Sequence, residues 1–318
     1  MVVLVTGGAG YVGSALVRQL LRDSVESGET IRVLDNMFRE TYVSLSELAR
    51  DSRFEFMEGD VRKVEDVERA FKDVETVFHL AAITNAPLSF ERRELTRQVN
   101  QIGTRNVVSQ ALRSSAKRFV YSSTASVYGP TKGIVTEESE CRPESPYGRY
   151  KLRGEKECLR AFEKQGLKSV VLRLATVYGF SLGWRVQGIV VNRLAYLGCT
   201  GNPLTVYGTG EQKRPFIDLR DAVRALVFAA TRPETVGRVF NVVGQNASVN
   251  DVVGAIRRIL PRLQIVKLRG SKHLEELSYM LDDSKFRRLG FRTEHSLEDG
   301  VRQIVEEFLG AQPIVAGD

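Results

Sequence analysis

Residues 2–13 read VVLVTGGAGYVG, and this stretch decides the fold. Its apolar start predicts a buried strand, and a helical pattern follows over residues 14–22. Gly7, Gly10 and Gly13 lie between the two as Gly-x-x-Gly-x-x-Gly, a variant of the dinucleotide fingerprint. Glycines at this spacing allow the tight turn, the approach of a pyrophosphate and close helix packing, and the helix N-terminus attracts the phosphates. We therefore predict a dinucleotide-binding site.

The second predicted strand ends in an acid. Asp35 follows residues 30–34 at about the distance beyond the glycines where a carboxylate meets the adenosine ribose. Such a carboxylate accepts hydrogen bonds from both ribose hydroxyls and repels a 2′-phosphate, so Asp35 favours NAD over NADP. Arg39 lies close by in the sequence and leaves binding of a 2′-phosphate open.

Strand and helix patterns alternate along most of the 318 residues. This alternation predicts an α/β fold with a doubly wound parallel Rossmann sheet. The predicted strands lie near residues 2–6, 30–35, 53–58, 75–80, 117–122, 168–174 and 237–243.

Two stretches, 176–217 and 245–318, break the alternation. We expect them to form a smaller C-terminal substrate-binding lobe over the carboxyl ends of the strands, where open α/β sheets bind ligands. Residues 1–175 with 218–244 would then form the dinucleotide-binding domain.

Tyr147 and Lys151 are the strongest candidates for catalysis. Ser145 is a good N-cap and Pro146 suits the first helical position, so a helix is predicted to begin just before Tyr147. Residues four apart lie on one face of a helix. A phenol titrates near pH ~10, and a neighbouring ammonium together with an oxidised nicotinamide would lower its pKa. The same spacing also arises by chance on amphipathic helices.

Composition excludes several other classes of protein. The net charge is +7, but the basic residues are scattered, which favours a surface that attracts phosphorylated substrates over a nucleic-acid site. No segment approaches the ~20 apolar residues of a membrane helix, and the chain starts directly with a strand instead of a signal peptide. Three cysteines without a metal-ligand pattern fit a reducing cytoplasm, and three unclustered histidines argue against a histidine-based metal site.

Further motifs follow in order along the chain, at residues 59–62, 79–82, 100–106, 122–129, 147–151, 173–179 and 207–214. With the glycine loop, their order and spacing resemble the extended short-chain dehydrogenase/reductase family, in particular its nucleotide-sugar epimerases and dehydratases. The resemblance spans nearly the whole chain.

This resemblance implies NAD as the cofactor and a homodimer formed by the helices near 91–113 and 146–165. It also implies a set of cofactor-binding residues, namely Gly7, Gly10, Tyr11, Val12, Asp35, Asn36, Asp60, Val61, Leu80, Ala81, Ala82, Asn100, Ser122, Tyr147 and Lys151.

The resemblance assigns the catalytic roles to Thr124, Tyr147 and Lys151. Thr124 would hydrogen-bond the reacting sugar oxygen, Tyr147 would remove the hydroxyl proton, and Lys151 would hold the nicotinamide ribose and lower the pKa of Tyr147. Dehydratases of this family typically have Asp-Glu after the threonine, where this chain has Ala125 and Ser126. We therefore expect epimerisation at C4 of a UDP-hexose or UDP-hexuronate. A dehydratase or keto-sugar reductase of the same family and a non-catalytic NAD(H)-binding regulatory protein are the alternatives.

The substrate-binding residues implied by the resemblance are Thr84, Thr124, Thr176, Asn192 and Arg214. Arg214 matches the family's phosphate-binding arginine, and a guanidinium fork suits that task. Thr176 stands where many of the epimerases have asparagine. The second phosphate-binding residue stays open between Arg269 and Lys272.

Overall fold

The computed structural model describes residues 1–26, 28–38, 42–182, 189–269 and 278–310. Its strands are β1 (Val2–Thr6), β2 (Thr30–Asp35), β3 (Phe54–Glu58), β4 (Val74–His79), β5 (Arg118–Thr124), β6 (Gly133–Val135), β7 (Ser169–Leu174), β8 (Thr176–Tyr178), β9 (Leu204–Tyr207), β10 (Lys213–Asp218), β11 (Val239–Val242), β12 (Gln245–Ser248), β13 (Ile265–Leu268) and β14 (Tyr279–Leu281).

The α-helices of the described residues are α1 (Tyr11–Asp23), α2 (Val64–Ala70), α3 (Leu88–Glu91), α4 (Arg93–Arg97), α5 (Thr104–Arg113), α6 (Pro146–Gln165), α7 (Val190–Cys199), α8 (Leu219–Thr231), α9 (Val249–Ile259), α10 (Ser284–Arg287) and α11 (Leu297–Gly310). A π-helical segment, Gln98–Gly103, joins α4 to α5.

Seven parallel strands form the central sheet in the order β11-β7-β5-β4-β1-β2-β3. The strand order reverses between β1 and β4, which is the switch point where doubly wound sheets bind their ligands. The predicted fold class is confirmed, and the seven predicted strands are present with ends that agree to within two residues.

Helices cover both faces of this sheet. One hydrophobic core packs α1 and α8 against one face, through residues such as Leu16 and Leu226. The other core packs α2, α5 and α6 against the opposite face, through residues such as Val107 and Cys158. The inner strands are buried on both faces and are rich in apolar residues, as in β1 and β7, whereas the edge strand β3 is largely exposed.

A third hydrophobic core belongs to the region over the carboxyl ends of the strands. It is built from α7, β9, β10, α9 and α11, and all its buried members lie within the predicted lobe ranges. Residues 279–291, however, also contribute to the first core of the main sheet, where Phe286 and Phe291 pack. The predicted domain limits stay a prediction.

The helices expected to form a dimer, α5 and α6, pack side by side on one face of the sheet. Pairing of two chains through them stays a prediction. Of the helices in the described ranges, none combines the length and the apolar character needed to cross a membrane.

Replacing Phe286 should test how firmly this later segment belongs to the main core. Its ring is fully buried and lies 5.4 Å from Phe228, 5.1 Å from Phe240 and 4.9 Å from Phe291, centroid to centroid. We expect Phe286→Ala to lower the free energy of unfolding by about 3–5 kcal/mol, measured by urea denaturation. The control is Phe56→Ala, whose side chain is 41% exposed and whose loss should cost far less. Equal losses in the two variants would contradict the packing described here.

Candidate active site

The glycine loop lies between β1 and α1, against the carboxyl end of β4. Gly7 has a φ of +74°, and a Cβ there would lie 2.6 Å from the backbone nitrogen of Ala81. A Cβ on Gly13 would lie 2.1 Å from the carbonyl oxygen of Gly7. Only glycine fits these positions, so the loop leaves the N-terminus of α1 uncovered by its own side chains. This cradle fits a pyrophosphate.

Asp35 lies at the end of β2, beside the loop. Its Oδ2 accepts a hydrogen bond from the backbone N–H of Ala9 at 3.0 Å, and its Oδ1 accepts one from that of Met37 at 2.9 Å. Ser44, which the sequence analysis did not select, donates to the carbonyl of Ala9 at 2.9 Å. Asp35 and Ser44 therefore hold the glycine loop through the N–H and the carbonyl of one residue, Ala9. The carboxylate stays half-buried, at the position predicted to meet the adenosine ribose.

Asn36 and Asp60 meet at the carboxyl ends of β2 and β3. The Asn36 amide donates to Asp60 Oδ2 at 3.0 Å, and the Arg62 guanidinium lies 2.6 Å from the same oxygen. Burial alone would raise the pKa of Asp60, but the hydrogen bonds and charge of Arg62 hold it below its usual range. Val61 is buried in the second core, next to this pair. The two polar residues form the edge of the predicted adenosine site.

Leu80, Ala81 and Ala82 leave β4 next to the glycine loop, and Asn100 holds the segment that follows them. The Asn100 side chain accepts from the backbone N–H of Ile83 at 2.8 Å and donates to its carbonyl at 2.9 Å. The residue is 1% exposed. The Asn100 amide therefore fixes the backbone that follows residues 80–82, and its predicted contact with the cofactor stays a prediction.

The predicted start of α6 is confirmed. The Ser145 hydroxyl accepts from the backbone N–H of Gly148 at 3.1 Å, and Pro146 occupies the first turn. This cap places Tyr147 at the beginning of the helix, next to the end of β5, where Thr124 is close enough to lower the pKa of its phenol. The structure thus brings together two of the three predicted catalytic residues.

Burial raises the pKa of Tyr147, and the hydrogen bond with Thr124 offsets part of this increase. The Lys151 ammonium donates to the carbonyl of Ser122 at 2.5 Å. A lowered value that also depends on an oxidised nicotinamide stays a prediction.

Lys151 is itself strongly affected by its surroundings. It is 3% exposed, and its Nζ lies 4.6 Å from the centroid of the Tyr121 ring. Burial lowers its pKa to about 8. Nearby, His79 is fully buried between the hydroxyls of Thr6 at 2.7 Å and Thr104 at 2.9 Å, and burial lowers its pKa to about 3. The imidazole is therefore neutral at physiological pH and adds no second cation beside Lys151.

Glu155 lies one helical turn beyond Lys151 and was not among the predicted site residues. Its carboxylate accepts from the Ser123 hydroxyl at 2.5 Å and pairs with the Arg173 guanidinium at 2.8 Å. Both charged groups are buried, with side chains 2% and 7% exposed. The signal that could have revealed it is the spacing of four residues between Tyr147, Lys151 and Glu155, which places all three on one face of α6.

Asn192 is hydrogen-bonded to the backbone of Gly179. Its Oδ1 accepts from the backbone N–H of Gly179 at 3.1 Å and its Nδ2 donates to the Gly179 carbonyl at 2.8 Å, so the fully buried amide is used within the protein. The predicted contact of Asn192 with the nucleotide stays a prediction.

Tyr11 reaches the same backbone group from the glycine loop. Its hydroxyl donates to the Gly179 carbonyl at 2.7 Å, and Asn192 Nδ2 donates to this hydroxyl at 3.4 Å. Burial raises the pKa of Tyr11, so the phenol stays a neutral donor. Tyr11 and Asn192 therefore join the glycine loop to α7 through one peptide unit.

Arg214 lies on β10, which pairs with β8, the strand that begins at Thr176. The guanidinium is half-buried, 6.0 Å from the Tyr279 ring centroid, and burial lowers its pKa. No carboxylate in the described ranges pairs with it. An arginine in this situation is suited to an anionic ligand.

The remaining predicted contacts lie at the surface. Thr84, Thr176 and Arg269 are exposed, and Lys272 lies outside the described residues. Among the residues that the structure describes, no cluster of three or more His, Cys, Asp or Glu could hold a metal ion.

Comparisons with known proteins agree with this geometry. The model of a family described as "NAD dependent epimerase/dehydratase family" matches residues 3–264. An uncharacterized UDP-glucose epimerase of Bacillus subtilis is 31% identical, over 95% of this chain and 96% of the relative. A dTDP-glucose 4,6-dehydratase of Neisseria meningitidis is 29% identical, over 96% of this chain and 93% of the relative.

Solved structures are similar over the same length. UDP-glucuronic acid 4-epimerase from Bacillus cereus, in complex with UDP-glucuronic acid and NAD, has a TM-score of 0.87 and 28% identity, covering 98% of this chain and 100% of that one. UDP-glucose 4-epimerase from Thermotoga maritima, with UDP-glucose, has a TM-score of 0.85 and 29% identity, covering 97% and 98%.

Asp35 should make the protein prefer NAD over NADP. Its half-buried carboxylate lies where the adenosine ribose is expected, and it would repel a 2′-phosphate. We expect Asp35→Asn, which keeps the shape and removes the charge, to narrow the ratio of the two affinities by about tenfold, the effect of about 1.4 kcal/mol. Calorimetric titration of both cofactors measures this ratio. Equal or tighter binding of NADP by the unmodified protein would refute the assignment and point to Arg39 as a phosphate partner.

Proposed function

The chain belongs to the NAD dependent epimerase/dehydratase family, and from this premise we propose that it is an NAD-dependent nucleotide-sugar 4-epimerase. It would invert C4 of a UDP-hexose or UDP-hexuronate through a transient 4-keto sugar. The observation that carries the proposal is that Thr124 lies close enough to the Tyr147 phenol to lower its pKa, at a strand end that continues with Ala125 and Ser126 and no carboxylate.

The chemistry needs one proton to leave the hydroxyl on C4 and one hydride to leave C4 itself, and both to return after the face of C4 has changed. Bound NAD⁺ supplies the hydride acceptor and, once reduced, the donor. Thr124 lies near the Tyr147 phenol, so a sugar hydroxyl that enters between them can be oriented by Thr124 while the phenolate of Tyr147 accepts its proton. The same Tyr147 proton returns when the carbonyl is reduced from the other face.

The residues after Thr124 separate epimerisation from dehydration. Elimination of water needs an acid for the leaving hydroxyl and a base for the C5 proton. Ala125 has neither group and is 5% exposed, while the Ser126 backbone N–H and hydroxyl are both within 3.2 Å of Thr124 Oγ1. Dehydratases are among the relatives, so the two reactions have to be distinguished. The lack of an acid and a base at residues 125 and 126 supports an epimerase over a dehydratase.

Arg214 supports a nucleotide diphosphate as the second part of the substrate. A half-buried guanidinium without an internal carboxylate partner among the described residues is costly unless an anion compensates its charge. A diphosphate offers pairs of oxygens that a guanidinium can bind with two parallel hydrogen bonds. The UDP-sugars bound in the similar structures favour UDP as the nucleotide.

We also infer a homodimer that works in the cytoplasm. Cys141, Cys158 and Cys199 are all free thiols, which suits a reducing compartment. The side-by-side packing of α5 and α6 offers a two-helix surface for a second copy.

Tyr147→Phe should abolish turnover and leave NAD binding within about twofold, because the ring stays and only the proton acceptor is lost. A loss of at least ~10²-fold in kcat is typical of removing a general acid–base group. The matched control is Tyr150→Phe on the same helix, whose hydroxyl is not part of the site and whose activity should be retained. Activity of Tyr147→Phe at the level of the control would remove Tyr147 from the mechanism.

Isotope labelling should separate the epimerase from its alternatives. Thermal shifts with a panel of nucleotide sugars first identify the ligand, because a specific ligand stabilises the folded protein. Incubated with that sugar in D₂O, the protein should form the epimer without carbon-bound deuterium, and a C4-deuterated sugar should keep its label. Deuterium at C5 or C6 would identify a dehydratase. Transfer of the C4 label to free cofactor would identify a net oxidoreductase.

A further inference from the structure

The end of β5 holds α6 through three consecutive residues. The carbonyl of Ser122 accepts from Lys151, the hydroxyl of Ser123 donates to Glu155, and Thr124 is close enough to Tyr147 to lower the pKa of its phenol. Successive strand residues thus meet three successive turns of one helix face. A shift of α6 by a single residue would break all three contacts together.

Glu155 is at the centre of this arrangement. Its two oxygens accept from Arg173 Nε at 3.1 Å and from Arg173 Nη2 at 2.8 Å, and Ser123 takes a further lone pair. Arg173 also donates to the Tyr128 hydroxyl at 2.9 Å, and Tyr128 in turn donates to Asn241 at 2.6 Å. The network extends from α6 across β7 to β11. Both oxygens of the Glu155 carboxylate therefore accept hydrogen bonds from within the protein.

We propose that Glu155 is a positioning residue of the active site: paired with Arg173 and held by Ser123, its negative charge keeps the neighbouring Lys151 in the ammonium form and on the Ser122 carbonyl. The proposal deepens the proposed function, since it concerns the lysine that serves the same reaction. Glu155 itself would touch neither the sugar nor the cofactor.

Charge balance supports this role. Lys151 is buried, and burial pulls its pKa down to about 8, while the negative charge of Glu155 acts in the opposite direction. The groups that act on the ammonium are Glu155 and Cys158 on α6, His79 on β4 and Tyr121 on β5, and Arg173 on β7 pairs with Glu155. His79 is neutral and the phenol and thiol are protonated, so Glu155 balances the two cations, Lys151 and Arg173, that share the region.

The two members of the buried pair should therefore act on Lys151 with opposite signs. Glu155→Gln keeps the hydrogen-bonding shape but leaves Arg173 as an unbalanced cation, so the pKa of Lys151 should fall by about 1. Arg173→Met leaves an unbalanced carboxylate, so this pKa should rise. The double variant removes both charges and should return it close to the original value.

The measurement is a pH titration of the full-length protein labelled with [ε-¹³C]lysine, followed by NMR, with the Lys151 signal assigned from Lys151→Arg. Glu163→Gln, an exposed acid on the same helix, is the matched control and should not move the signal. If the pair only stiffened the helix, its loss would let water in and raise the pKa of Lys151 in every variant. A rise in Glu155→Gln would therefore overturn the proposal.

The effect of the Glu155 charge can be measured even if one variant does not fold. Should Glu155→Gln be too unstable to study, the difference between Arg173→Met and the double variant still measures the effect of the Glu155 charge, and no difference would refute it. The titration also needs no turnover of sugar, so its result is independent of whether the protein is an epimerase. In the active enzyme, the alkaline limb of kcat should move to lower pH in Glu155→Gln, because activity is lost as pH rises through the pKa of Lys151.

Discussion

The close approach of backbone at Gly7 and Gly13 is the constraint on which the rest of the structure depends. No side chain fits between β1, α1 and the end of β4, because a Cβ would overlap main-chain atoms at 2.6 Å and 2.1 Å. This contact sets how near the first helix lies to the sheet and leaves its free N–H groups accessible. That spacing determines where the predicted adenosine site lies relative to the glycine loop. It also determines the positions of Tyr11 and of the loop that carries Ala81.

Burial has opposite effects on the two groups of the catalytic pair. It raises the pKa of Tyr147 and lowers that of Lys151, because a charge on either group is costly away from water. The protein alone thus favours a neutral phenol. The fold supplies geometry for proton transfer, and the charge that activates the phenol has to come with the ligands, so chemistry is coupled to complete occupation of the site.

Much of the fold and part of the site could be predicted from local patterns. Apolar stretches that alternate with helical patterns predicted the seven strands. Ser145 and Pro146 predicted the start of α6. Both signals depend only on neighbours in the sequence. The roles of Asn100 and Asn192 could not be predicted, because a motif shows an amide but not its partner. Asn192 bonds to Tyr11, 181 residues away, and Asn100 bonds to a loop backbone 17 residues before it. The Glu155–Arg173 pair was missed for the same reason.

The hydrogen bond between the Tyr11 hydroxyl and the Gly179 carbonyl limits how this architecture can be recombined. Its partners are 168 residues apart in sequence, one in the nucleotide loop and the other at the entrance to the sugar-binding part. In a chimera that takes residues 176–217 from another protein, Tyr11 would lose the Asn192 amide unless the donor carries the same side chain at that position. A functional exchange of this segment therefore has to keep the Tyr11, Gly179 and Asn192 contacts together.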